Sequence, residues 1–216
     1  MLEVRGLDVN IGPVPILRGV SMEVPPGAMV GLIGRNGAGK TTLLRSIMGL
    51  LNKQAGSIGF DGADVTNAAS HRRAHLGIGY MPEDRRLVPD MSAEENILVP
   101  VWSTGQKGFN ERLDWIYQLM PEIKEFRDRG ATQLSGGQQK MVALGRALIA
   151  GTRLLLLDEP TEGIAPVLAQ RMGQVMADLK TAGQSVLVAE SNEKHIANVI
   201  TKTYVIERGS VVELQR

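Results

Sequence analysis

The 216-residue chain contains no cysteine. That excludes disulfides, iron–sulfur clusters and thiolate zinc sites, and it agrees with a reducing compartment. No apolar run approaches the ~20 residues a membrane-crossing helix needs, and Met1-Leu2-Glu3-Val4-Arg5 lacks the basic and apolar pattern of a signal peptide. The expectation is a soluble, cytosolic chain. Charge of one sign is missing as well: 24 Lys and Arg stand against 23 Asp and Glu, a formal net charge of +1. No sequence-wide field favours nucleic acid or an anionic membrane, so no nucleic-acid partner is expected. There is no internal repeat and no low-complexity segment. With 43% hydrophobic residues, the chain can bury a full core as one domain, or as one domain with a small subdomain.

What is present is concentrated first in Gly34-Arg35-Asn36-Gly37-Ala38-Gly39-Lys40-Thr41, a G-x-x-x-x-G-K-[ST] pattern. The apolar run Ala28 to Ile33 before it reads as a buried strand, and Thr41 to Met48 after it as a helix, which is the context the pattern requires. Gly34, Gly37 and Gly39 open backbone conformations closed to residues with a Cβ. Successive N–H groups then converge on phosphates at the positive end of the helix. Lys40 reaches the β- and γ-phosphates, and the Thr41 hydroxyl can ligate Mg²⁺. By average composition such a match arises by accident on the order of once per hundred chains of this length. The chain is read as binding a nucleoside triphosphate.

The first third consists of short strand candidates with turn punctuation. Leu2 to Val9 and Leu17 to Val24 alternate apolar with polar, Pro25-Pro26-Gly27 is a turn, and Gly56 to Phe60 and Gly77 to Met81 are further short strands. Residues 92 to 130 change to a helical pattern broken at Ser103-Thr104-Gly105, with Leu113, Ile116, Tyr117 and Met120 on one helix face. Trp102 and Trp115 are expected to pack in the core of this small helical lobe. From Gly136 onward helices and strands alternate. Leu154-Leu155-Leu156-Leu157 and Ser185 to Ala189 are too apolar for surface strands and call for cover on both faces, as in a parallel α/β sheet. Leu168, Met172, Val175, Met176 and Leu179 mark the packing face of the helix between them.

Asp158-Glu159-Pro160 ends the leucine run, placing two carboxylates at the C-terminal edge of a buried strand, where α/β sheets form ligand sites. Asp158 is suited to hold Mg²⁺ and Glu159 to polarise the water that attacks a γ-phosphate. Leu134-Ser135-Gly136-Gly137-Gln138 opens a helix with an N-capping serine and bare glycine N–H groups, a second anion site by geometry, although an ordinary capped helix explains it equally well.

These three motifs, in this order and spacing and spanning nearly the whole chain, resemble the nucleotide-binding domains of ATP-binding-cassette proteins. The resemblance implies an α/β P-loop NTPase fold: one cassette domain over 1–216, with a mainly parallel core sheet and an antiparallel β subdomain in 1–91 and 131–216, and an α-helical subdomain at 92–130 ending in the signature. It implies ATP hydrolysis with Mg²⁺, nucleotide contacts along Gly34 to Thr41 and Thr42, and a head-to-tail dimer with a second ATPase subunit. Ser135, Gly136, Gly137 and Gln138 of one chain would then contact ATP held by the other. Partners implied are membrane permease subunits and, indirectly, a periplasmic solute-binding protein. The location implied is peripheral, on the cytoplasmic face of the bacterial inner membrane.

Four positions depart from the general cassette pattern. Glu83 stands where a glutamine is usual, and by resemblance it senses the γ-phosphate, contributes to the metal site and touches the membrane partner. Thr161-Glu162-Gly163-Ile164-Ala165-Pro166 follows the acidic pair, and Ser191 replaces the switch histidine. Ile11 replaces the aromatic that stacks on adenine, offering only an apolar face. The Met-Pro-Glu-x-Arg-Arg segment at 81–86, the Glu-x-Asn-Ile-Leu segment Glu94-Glu95-Asn96-Ile97-Leu98, Gly163 to Pro166 and Glu190-Ser191-Asn192 are similar to the second ATPase subunit of branched-chain amino acid importers, a subgroup that also serves amides, urea and related solutes. Without an imidazole at position 191, the expectation is slow hydrolysis here or a stronger site in the partner ATPase. Export, lipid extraction and non-transport roles are the alternatives within the resemblance.

Overall fold

The computed structural model describes residues 1–105 and 107–214. The opening alternation forms two antiparallel strands, β1 (Leu2–Ile11) and β2 (Val14–Val24). Their inward residues Leu2, Val4, Leu7, Val9, Leu17, Val20, Met22 and Val24 are all buried, as a half-solvated sheet requires. With β4 (Ala55–Phe60) and β5 (Ala63–Asp64) they make a four-stranded sheet in the order β2-β1-β4-β5.

A second sheet has the order β10-β9-β3-β8-β7-β6. Its members β3 (Met29–Ile33), β6 (Ile78–Met81), β7 (Leu154–Asp158), β8 (Ser185–Glu190) and β9 (Lys202–Glu207) run parallel, and β10 (Ser210–Leu214) closes the edge antiparallel. Every residue of β7 and β8 is buried, so the uninterrupted apolar runs are covered on both faces. Alternation along the strands divides the core in two. Leu155, Leu157, Val186 and Val188 join a cluster with α3 (Ala93–Thr104), α6 (Gly136–Ala150) and α7 (Pro166–Thr181). Leu154, Leu156, Leu187 and Ala189 join one with α1 (Lys40–Ile47) and the antiparallel sheet.

The remaining helices are α2 (Ser70–His75), α4 (Phe109–Leu119) and α5 (Pro121–Glu125). α3 starts at a capping box between Ser92 and Glu95 and stops at Gly105, whose φ of 64° lies in the left-handed region. The stripe on α4 packs as expected, with Ile116 and Met120 fully buried. Trp102 does not: it is 53% exposed. It follows Val101, and one residue of helix turns roughly 100° away from the inward face carrying Ile97 and Val101. Trp115 packs partly against the core, with the Arg112 guanidinium 4.1 Å above its ring. Among the described residues, no helix is long and apolar enough to cross a membrane.

Candidate functional site

Strand order brings the chemistry together. In the parallel sheet β8 lies between β3 and β7, so the glycine-rich loop after β3, Glu190-Ser191 at the end of β8 and Asp158-Glu159 at the end of β7 share one C-terminal edge. The loop leads into α1, whose N-cap is Gly39 at φ 114° with no side-chain cap, while Gly37 sits at φ 82°. The first amides of the helix are therefore left for an outside acceptor. Gly34 is needed for a different reason than its backbone angle: a Cβ there would lie 2.5 Å from the Ile206 carbonyl of β9.

Lys40 Nζ donates to the carbonyls of Gly34 (2.6 Å) and Arg35 (3.1 Å) and to Ser191 Oγ (3.3 Å). It also forms an ion pair with Glu159 Oε1 at 2.9 Å, both side chains being 5% exposed or less. Thr41 Oγ1 donates to Asp158 Oδ1 at 3.1 Å and the Tyr80 hydroxyl to Asp158 Oδ2 at 3.4 Å. Burial pushes the Asp158 carboxyl up to about 6 against the Thr41 bond, with the negative charges of Glu83 and Glu159 adding to the rise.

Glu159 occupies φ 48°, a left-handed conformation uncommon without glycine. Its carboxylate accepts from Ser191 N at 3.0 Å and Ser191 Oγ at 2.6 Å, and Ser191 Oγ also lies 2.6 Å from the Asn36 side-chain amide. Burial pushes Glu159 upward, but hydrogen bonds from Glu190, Ser191 and Lys40 together outweigh it and hold the group below the usual carboxylate range. Glu190 goes the other way: burial and the shared hydrogen bond with Glu159 raise it, although it accepts from Thr161 N (2.9 Å) and Thr161 Oγ1 (2.8 Å). Of the two carboxyls, Glu190 keeps the proton and Glu159 the charge.

A cavity at this edge is lined by Ile16, Asn36, Gly37, Gly39, Lys40, Thr41, Thr42, Glu83 and Glu159. Arg35 and Ala38 close the loop through the Ala38 N to Arg35 O bond of 3.1 Å. Ile11 is half exposed at the end of β1 and is not among the lining residues; Ile16 provides the apolar wall beside the loop. Ser135, Gly136, Gly137 and Gln138 do not line the cavity either. They open α6 through a capping box, Gln138 N to Ser135 Oγ at 3.3 Å and Ser135 N to Gln138 Oε1 at 2.9 Å, with Ser135 and Gly136 exposed. The site thus gathers Gly34 to Thr42, Glu83, Asp158, Glu159 and Ser191, and leaves Ile11 and the signature Ser135 to Gln138 outside it.

Sequence reasoning missed Glu190, Tyr80, Ile16 and Lys140. Glu190 carried a usable signal, since Ser185 to Glu190 is an apolar strand ending in a carboxylate, like Leu154 to Asp158. The others lie in unremarkable contexts and became relevant only through packing. For a divalent cation, the Thr41 hydroxyl and Asp158 carboxylate offer hard oxygens already in contact at 3.1 Å, the donor type Mg²⁺ takes alongside substrate phosphates.

The family model described as ABC transporter matches residues 17–162. The high-affinity branched-chain amino acid transport ATP-binding protein BraG of Pseudomonas aeruginosa is 34% identical over 98% of this chain and 91% of its own length. The lipopolysaccharide export system ATP-binding protein LptB of Escherichia coli K12 is 32% identical over 91% of this chain and 83% of its own. Among solved structures, the ADP conformation of an ATP-binding cassette of an ABC transporter superposes with a TM-score of 0.85 at 29% identity, covering 100% of this chain and 91% of that one. Cradle, acidic pair and fold meet in one description: the chain belongs to the ABC transporter family, as one of its ATP-hydrolysing cassettes.

Proposed function

We propose that this chain is the energy-coupling ATPase of an importer for branched-chain or other hydrophobic amino acids, or for related small solutes such as amides and urea. The likeness to BraG along 98% of the chain carries this reading, together with the Glu83, Gly163 to Pro166 and Glu190-Ser191-Asn192 departures. Export is the second reading, favoured by the likeness to LptB. In either case the chain works peripherally at the cytoplasmic face of the membrane, as half of a cassette dimer bound to permease subunits. For import, a solute-binding protein outside selects the cargo. Residues 92–130 form the lobe that docks on the permease, and 1–91 with 131–216 form the catalytic core.

The loop Gly34 to Thr42 holds the triphosphate through main-chain amides, and Lys40 balances the β- and γ-phosphate charge. Thr41 and Asp158, with Glu83 beside them, would hold Mg²⁺, which neutralises charge on the phosphates during transfer. Glu159, kept ionised by its partners, accepts a proton from the attacking water. Ser191 orients that carboxylate through two hydrogen bonds, a task separate from the γ-phosphate contact of a histidine. Ser135 to Gln138 complete the site of the opposing cassette, which agrees with their outward placement. Two measurements test the proposal. Glu159→Gln should bind MgATP normally, lose turnover by a hundredfold or more and accumulate an ATP-bound dimer; wild-type turnover would remove Glu159 from its role. Affinity purification from the native membrane should bring down permease subunits, and finding an export permease instead decides for the second reading.

A further inference from the structure

The buried lysine of the signature helix has no part in the scheme above. Lys140 is 2% exposed, and its ammonium donates to two main-chain carbonyls, those of Glu159 and Glu162. A fully buried cation is costly unless fixed partners compensate it, and both partners here belong to the loop that carries the water-activating carboxylate. Thr161, in the same loop, is held by Glu190 of β8 through its N–H and hydroxyl. The loop that starts at the left-handed backbone of Glu159 is therefore held by buried side chains from two other elements, the Lys140 ammonium of α6 and the Glu190 carboxyl of β8. Lys140 follows the cap Ser135 to Gln138, exposed at Ser135 and Gly136, within the first turns of one continuous helix, so a displacement of that cap carries the ammonium with it.

We propose that Lys140 is a positioning residue that ties the Glu159–Glu162 loop to the signature helix, so that engagement of Ser135 to Gln138 with the opposing nucleotide sets the alignment of Glu159 in this chain's own site. The coupling rests on the reading above that the signature closes over a second cassette's ATP. Stretching or releasing the tie moves the main chain at Glu159 first: Lys140 donates to loop carbonyls and to no group of Gly34 to Thr42, and the loop meets the cradle through the Glu159 and Glu162 side chains, at Lys40 and Asn36. The tie therefore acts on kcat more strongly than on nucleotide affinity.

The test uses the full-length chain with MgATP. Lys140→Met, close in length and uncharged, should lower kcat tenfold or more while Kd and KM for MgATP stay within about twofold. In the Glu159→Gln background it should still permit the ATP-bound dimer. Thr161→Val loosens the same loop at its Glu190 contact and should show the same split, more weakly. If Lys140→Met loses its cooperative thermal transition, Lys140→Gln, which keeps N–H donors near the carbonyls, and Thr161→Val carry the same comparison. Wild-type kcat in folded Lys140→Met or in Thr161→Val overturns the proposal, as does a parallel fall of kcat and MgATP affinity, which would make Lys140 a support of the fold. Turnover by Glu159→Gln itself would instead overturn the catalytic assignment, so the two failures are distinguishable.

Discussion

Ser191 was expected as a deficit, the loss of an imidazole; in place it is the hinge of the local hydrogen bonding. Its N–H and hydroxyl both meet the Glu159 carboxylate, and Lys40 donates to it. The residue scale also fixes who carries charge. Asp158 is 0% exposed and held at about 6, above the ordinary aspartate value of 3.8. An acid raised on folding contributes stability at low pH that disappears as pH rises through its folded value. At neutral pH the ionised Asp158 therefore costs the nucleotide-free fold about 3 kcal/mol by linkage. Asp158→Asn keeps an acceptor for Thr41, and the Tyr80 hydroxyl can turn to accept. Chemical denaturation without nucleotide or Mg²⁺ should find it more stable than wild type at pH 7.5, with the gain shrinking as pH falls from 6 towards 4. A constant difference across that range would contradict the assignment. The same variant should lose MgATP turnover, because the anionic carboxylate proposed to hold the cation becomes a neutral amide.

At the scale of elements, much of the architecture follows from pattern. The alternations of β1 and β2, the apolar runs of β7 and β8 and the cap at Ser135 were all legible, because each needs only neighbouring residues to specify it. Trp102 was not, since its side depends on where the inward face of α3 ends. Arg73 is a second case. It reads as one charge in a short polar helix, yet it is 2% exposed and donates to the carbonyls of Ser46 and Ile47 at the end of α1 and of Thr66 and Ala68 in the segment between β5 and α2. A cation there satisfies orphan carbonyls and meets the negative end of the helix that begins at the phosphate cradle. Arg73→Met should leave those acceptors unpaired and cost about 3 to 5 kcal/mol in urea denaturation. The variant that remains folded should keep its MgATP affinity, since the contacts lie at the far end of α1. β6 is held at close range too: a Cβ on Gly79 would meet the Ala147 carbonyl at 2.0 Å, a constraint only the packed helix imposes.

For the molecule as a whole, exposure divides function between inside and outside. Glu83 and Asp84 are exposed beside the cavity, and Trp102 projects from the 92–130 lobe, the combination expected of a nucleotide sensor that also touches a partner. Because the chain has no cysteine, Asp84→Cys or Trp102→Cys introduces a single thiol. In native membranes such a thiol should crosslink to a permease subunit, and more strongly at one stage of the ATP cycle than another; labelling by soluble reagents alone would contradict the docking reading. Contiguous motifs pointed to the family from sequence: Gly34 to Thr41, Ser135 to Gln138 and Asp158-Glu159 each lie in adjacent residues, so their order and spacing along the chain were enough to recognise the cassette and the fold that holds it. Which residues surround Glu159 was decided only in three dimensions. The insertion of β8 between β3 and β7 puts Ser191 and Glu190 between cradle and acidic pair, and the packing of α6 brings Lys140 beneath the same loop. Strand order and helix packing are set by long-range burial of the two apolar faces of one sheet, which no local pattern encodes.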